Sequence, residues 1–165
     1  MTATEAIEQA RTTKRAQAKA ELRAILTRAA QVPMPQGDAT RAAELCDTLG
    51  VTSAAAGAFI QAVADEKALG AAVAASDAPA RLAKAEAELA KLEADQSAEE
   101  LVIVKRLDDP SNQSKRRVEQ GAIVERYSAR IAEARNAVTA ARQARDEHAK
   151  LGERLAVVRR AIAGW

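Results

Sequence analysis

The feature that most constrains this chain is a pair of long helical stretches divided by one short turn. Residues 78–107 and 114–163 keep a helical pattern, and only Asp-Asp-Pro-Ser-Asn-Gln at 108–113 interrupts them. Proline lacks the amide donor that a helix needs and clashes with the preceding turn, so we expect the chain to reverse there. The pattern predicts an all-α fold dominated by a long antiparallel helical hairpin, a coiled-coil-like stalk.

Apolar stripes on both arms favour this pairing. Their three- and four-residue spacing is typical of coiled-coil seams, with Leu82, Ala85, Leu89 and Leu92 on one arm and Tyr127, Ile131, Ala134, Val138 and Ala141 on the other. With the turn at 108–113, antiparallel pairing predicts that the numbers of facing residues sum to about 221. This register places Leu89 beside Ile131 and Ile103 beside Val118.

Residues 1–75 predict a small helical head. Its three helices are expected at about 3–30, 39–49 and 53–69. Residues 70–75 form either a hinge or a continuation of the third helix. Residues 76–165 form the hairpin domain, with its turn at 108–113 and a C-terminal part that we expect to pack back on the head.

The expected ends of the head helices follow the residue types that satisfy free backbone groups at such places. The predicted N-caps are Thr2, which forms a capping box with Glu5, then Asp38, and then Thr52 or Ser53. Gly50 is predicted to end the second helix in the left-handed conformation. These assignments set the bounds of the head.

Composition narrows the class of protein further. About a quarter of the residues are alanine and 29% are charged, a mixture typical of long helices. No apolar run approaches the ~20 residues that cross a bilayer, and the first residues lack the apolar core of a signal sequence. We therefore expect no membrane partner, and a cytoplasmic protein or one incorporated in a larger assembly such as a virion.

Consecutive apolar residues beside the turn present more apolar surface than the partner arm of a two-helix hairpin can bury. At 100° per residue they point around most of each helix, whereas the hairpin covers one stripe. These apolar tip residues are Leu101, Val102, Ile103, Val104, Ile123 and Val124. One interpretation is a thickened or locally strand-like tip; the other, which we favour, is an interface for a protein partner or a second copy, making a homo-oligomer.

Two groups of cations are candidates for contact with an acidic protein or a polyanion. The basic ribbon of the first helix comprises Arg11, Arg15, Lys19 and Arg23, and the tip carries Lys115, Arg116 and Arg117. The alternative is that these cations simply lie on a solvent-exposed helix face and a solvent-exposed tip, and bind no partner. Nucleic acid is disfavoured, because no aromatic side chain is interleaved for base stacking.

Residues 42–63 resemble a helix-turn-helix, since a helix stops at Gly50 and another restarts near Ser53. A helix-turn-helix head followed by an oligomerising hairpin is similar to a phage small terminase subunit, which implies a DNA-binding adaptor. The second helix of the motif offers only Gln61 for reading bases, so this function is the alternative.

The sequence gives catalysis little support. His148, the only histidine, is expected as a packed polar spacer, and Cys46, the only cysteine, as a core residue. No phosphate-binding glycine loop, metal-ligand set or nucleophile motif occurs. We expect no catalytic, cofactor-binding or metal residues, no small-molecule substrate and no enzymatic activity.

The leading hypothesis is a non-enzymatic structural or assembly protein that acts through helical protein–protein interfaces. In organisation, this small chain rich in alanine, glutamate and arginine is similar to the accessory and scaffolding proteins of tailed phages and prophages. That resemblance implies a structural role within a larger assembly.

Overall fold

The computed structural model describes residues 2–165, and these contain five α-helices, one 3-10 helix and no β-strand. The helices are α1 (Ala3–Ala29), α2 (Gln36–Leu49), α3 (Ser53–Ala75), α4 (Ala78–Arg106) and α5 (Gln113–Gly164), with the 3-10 helix at Pro110–Asn112. The predicted all-α class is confirmed. The chain divides into a head unit, residues up to 74 with 151–165, and a hairpin unit, residues 75–150.

The ends of the head helices follow their sequences closely. Thr2 forms the predicted capping box with Glu5, each side chain accepting from the other residue's amide. Gly50 ends α2 with a φ of 69°, a left-handed conformation that glycine adopts without steric cost. The Thr52 hydroxyl accepts from the amide of Ala55, so Thr52 caps α3.

One predicted bound in the head is wrong, and one of the two alternatives for residues 70–75 is confirmed. Helix α2 begins at Gln36 after Pro35, and not at the predicted cap Asp38. Asp38 instead pairs with Arg28 of α1 at 3.1 Å, because a carboxylate in the first helical turn can reach a neighbouring helix. Helix α3 continues to Ala75 through the alanine-rich residues 70–75, which have high helix propensity and no breaking proline.

The core of the head unit joins α1, α2, α3 and the last turns of α5. Its buried members are Leu22, Ile25, Leu26, Ala42, Leu45, Ala56 and Phe59, with Ile162 and Trp165 packed against them. Ion pairs lie around this core. Arg41 of α2 donates two hydrogen bonds, of 2.7 and 3.0 Å, to the carboxylate of Glu21 of α1. Arg159 of α5 forms an ion pair with Glu66 of α3 at 3.0 Å.

In the hairpin unit, α4 and α5 pack against each other as the predicted antiparallel hairpin. Its core contains Leu92, Ile103, Leu107, Ile123, Tyr127, Ile131 and Ala134. Four ion pairs cross between the arms: Glu86 with Arg142, Glu93 with Arg135, Glu99 with Arg126, and Arg106 with Glu119. The Tyr127 hydroxyl donates to Glu99 at 2.7 Å, which anchors the one ring of this core.

The predicted register of the hairpin is wrong by one to two helical turns, because the numbers of residues paired across the arms sum to 225–228 and not to about 221. Ile103 shares its core with Ile123, whereas its predicted partner Val118 is 73% exposed. Seam residues recur every three or four positions, so sliding one arm by a turn brings another apolar stripe into place. Leu107, just after the end of α4, is also buried in this core.

The turn itself is closed by a short local network. Asp109 accepts from the amide and the hydroxyl of Ser111, at 2.8 and 2.6 Å. These bonds, the hydroxyl first, lower the pKa of Asp109 from its usual value. Among residues 2–165, no helix is both long enough and apolar enough to cross a lipid bilayer.

Candidate protein-binding surfaces

At the hairpin tip, several apolar side chains lie outside the buried core of the hairpin and are exposed to solvent. Leu101 and Val102 on α4 are 52% and 62% exposed, and Val124 on α5 is 48% exposed. Val118 on α5 adds the most exposed apolar side chain of the tip. We call Leu101, Val102, Val118 and Val124 the tip surface.

Helix geometry explains why these side chains lie outside. Ile103 occupies the seam, and Val102 lies 100° from it while Leu101 lies about 160° from it. Val118 lies five residues before the seam residue Ile123, which turns it well away from α4. A two-helix hairpin has no further element to cover these directions, so the apolar area stays in contact with solvent.

The structure separates the apolar tip residues into two groups. Ile103 and Ile123 are buried inside the hairpin, and Val104 is half-buried, so Ile103 and Ile123 offer no surface to a partner. Leu101, Val102 and Val124 are exposed. The tip is helical throughout residues 101–104, which removes the strand-like interpretation.

Charged side chains surround the tip surface. Lys105, Lys115 and Arg117 are exposed, and within the described part of the chain none of them forms an ion pair. Arg116 is half-buried in a shallow depression against Asp108 and Asp109. Lys115 and Arg116 lie in the first turn of α5, where the helix dipole disfavours cations by a few tenths of a kcal/mol.

Three of the four cations in the basic ribbon of α1 are exposed, and the fourth is half-buried. Arg11, Arg15 and Lys19 are exposed, and none of them pairs with an acid within residues 2–165. Arg23 differs, since its guanidinium lies 5.9 Å from the centre of the Phe59 ring and is half-buried against the head core. Three members of the ribbon therefore remain available to an anionic group.

The exposed start of α3 has few side chains that could form hydrogen bonds with the edges of DNA bases. Its side chains there are small, namely Ser53, Ala54, Gly57 and Ala58, followed by Gln61. The Gln61 amide donates to Asp65 at 2.8 Å. The helix-turn-helix likeness thus concerns the backbone path of α2 and α3, and no cation reaches out from the first turns of α3.

The two candidate nucleophilic or ligating side chains lie in separate units. Cys46 is half-buried against the head core, and burial, followed by the nearby Asp47 charge, raises the pKa of its thiol. His148, in the hairpin unit, is half-buried with an Nδ1 atom that finds no hydrogen-bond partner among residues 2–165. Within that range, no group of three histidine, cysteine or acidic side chains converges as a metal site would.

Sequence reasoning missed Val118 as a member of the tip surface, because the predicted register assigned it to the seam. The signal was present in its spacing from Ile123, since residues five apart on a helix do not share a face. Comparison with known proteins adds no assignment: no protein family, curated protein or solved structure matches this chain.

Proposed function

We propose that the protein is a non-enzymatic assembly protein that self-associates through the tip surface of its hairpin. The observation that carries this proposal is the exposure of Leu101, Val102, Val118 and Val124 beside a seam that Ile103 and Ile123 already fill. These exposed side chains leave apolar area in contact with water, which is disfavoured. Covering it would remove that cost.

A second copy suits this surface for two reasons. Helical hairpins bury their outer apolar residues by pairing into four-helix arrangements, which present the same patch from both copies. The tip also carries both signs of charge near the patch, with Lys105, Lys115 and Arg117 against Asp108 and Glu125. A surface with both signs can complement itself across a two-fold axis.

The finer assignments stay predictions. A role as an accessory or scaffolding protein of a phage or prophage rests on the organisation of the sequence. The DNA-binding adaptor is the alternative, and the small, uncharged start of α3 disfavours it.

The proposal is tested by measuring molar mass with light scattering after size exclusion across a range of protein concentrations. The variant Val102→Glu with Val124→Glu places two carboxylates in the tip surface, so the mass should fall to that of one chain. The matched control is Val157→Glu, because Val157 is 59% exposed but lies in the head unit. It should keep the mass of the parent.

Two results would contradict the proposal. The parent could have the mass of one chain at every concentration, or the double variant could keep an oligomeric mass identical to that of Val157→Glu. Far-UV circular dichroism of each variant confirms that its helices are retained.

A further inference from the structure

The head unit contains a cleft that plays no part in the proposed self-association through the tip surface. It encloses about 650 Å³ between α1, the turn before α3 and the end of α5. Leu22, Leu49 and Val51 form its apolar lining, and Trp165 forms one side. This volume lies within the range of 300–1,000 Å³ that is typical of binding pockets.

The lining of the cleft suits a bulky apolar side chain. Leu22 is fully buried beneath it, while Leu49 and Val51 are half-buried and keep part of their surface toward it. The Trp165 ring packs on Phe59 with centroids 4.5 Å apart and keeps part of its own surface exposed. A partner side chain placed here would bury apolar area on both sides.

The rim of the cleft is positive. Arg15 and Lys19, four residues apart on α1, line it, and neither pairs with an acid in the part of the chain that the structure describes. Both also line a neighbouring groove of about 440 Å³ that continues along α1 to Arg11. The cations thus extend outward from the apolar cleft and are not scattered around it.

We propose that this cleft binds an acidic segment of a partner protein, which inserts one bulky apolar side chain and places carboxylates beside Arg15 and Lys19. The combination of an apolar pocket and a cationic rim complements such a segment. Nucleic acid fits less well, because the cleft offers a single ring for base stacking and that ring is packed on Phe59. The site shares no residue with the tip surface and goes beyond self-association.

Trp165 is the only tryptophan in the chain and lies in the cleft, so its fluorescence reports binding directly. The probes are acetylated peptides Glu-Glu-Leu-Glu-Glu, Glu-Glu-Met-Glu-Glu and Glu-Glu-Phe-Glu-Glu, with Glu-Glu-Ser-Glu-Glu as the control. We expect at least one apolar peptide to shift the Trp165 emission saturably and to bind about tenfold more tightly than the serine peptide. Generic duplex DNA is titrated in parallel.

Variants of surface cations distinguish specific contacts with Arg15 and Lys19 from a general effect of net charge. Arg15→Ala with Lys19→Ala should weaken binding of the apolar peptide by roughly tenfold, because two charge-assisted contacts are lost. Lys14→Ala with Lys67→Ala is the matched control, because it also removes two exposed cations of the head unit and neither residue lines the cleft or the groove. It should change the affinity by less than about twofold.

Three outcomes would overturn the proposal. The first is that no apolar peptide saturates below about 1 mM, an affinity too weak to distinguish from non-specific contact. The second is that Lys14→Ala with Lys67→Ala weakens binding as much as the rim variant does, which would show an effect of net charge alone. The third is that duplex DNA binds more tightly than every peptide and is lost in the rim variant, which would assign the cleft to nucleic acid.

Discussion

Phe59 and Trp165 pack against each other with ring centroids 4.5 Å apart and ring planes inclined by 32°. Phe59 comes from α3 and is buried, whereas Trp165 follows the last turn of α5 and stays partly exposed. The contact makes the end of α5 part of the head core, together with Ile162. The head unit therefore depends on residues from both ends of the described chain.

Truncating Phe59 should destabilise the head unit strongly. Phe59→Ala removes a buried ring and leaves a cavity, which costs about 3–5 kcal/mol of unfolding free energy. Urea unfolding followed by Trp165 fluorescence measures this loss, because Trp165 lies in the same unit. Ile7→Ala is the control, since Ile7 is exposed on α1, and it should change the free energy by less than about 0.5 kcal/mol. Equal effects of the two changes would contradict the assigned core.

The observed hairpin register predicts which charges are coupled. Glu93→Arg and Arg135→Glu should each lower the unfolding free energy of the hairpin, and the double variant should recover part of the loss because the ion pair is restored with reversed charges. A coupling energy of about 0.2–1 kcal/mol is expected in a double-mutant cycle for an exposed pair. The cycle of Glu93→Arg with Ser128→Glu should show none, since that pairing belongs to the rejected register. Coupling to position 128 in place of 135 would show that the arms are shifted.

The Asp109 network should stabilise the turn in a pH-dependent manner. Asp109→Ala removes the acceptor of two Ser111 bonds, so the thermal unfolding midpoint should fall at neutral pH. Because the folded-state pKa of Asp109 is lowered, its contribution is present above the ordinary value of 3.8 and is lost as the pH falls through the lowered pKa. The difference between parent and variant should therefore shrink in acid. Asp108→Ala is the control, because it removes the adjacent exposed carboxylate and leaves both Ser111 bonds in place.

Local chemistry made much of the fold predictable. The capping box at Thr2, the left-handed stop at Gly50 and the reversal near Pro110 each depend on neighbouring residues alone, and each is confirmed. The register of the arms was not predictable, because a seam with three- and four-residue spacing fits several alignments. The same ambiguity hid Val118, whose exposure depends on which arm residue faces Ile103.

The contact of Phe59 with Trp165 could not be derived from spacing either. Packing between residues so distant in sequence depends on how α5 meets the head core. The cleft beside Trp165 follows from the same packing, because its lining comes from three separate segments. Sequence patterns therefore identified the elements and the packing of the C-terminal part on the head, whereas the individual contacts and the cleft required coordinates.

Cys46 should behave as a protected thiol. Burial raises its pKa, so less of the reactive thiolate forms at about pH 8 than in an unperturbed cysteine. Alkylation by iodoacetamide in the folded protein should therefore be slower than alkylation of glutathione, and unfolding in urea should remove the difference. Equal rates in the folded state would show that the thiol is freely accessible.

Energy transfer between copies labelled at the tip measures whether the hairpin tips of separate copies meet. Ser114→Cys in a Cys46→Ala background provides one exposed labelling site beside the turn, and donor-labelled and acceptor-labelled proteins are mixed. We expect energy transfer that excess unlabelled parent abolishes and that excess Val102→Glu with Val124→Glu leaves unchanged. Absence of transfer, in a mixture with the mass of one chain or of an oligomer, would contradict tip-to-tip pairing.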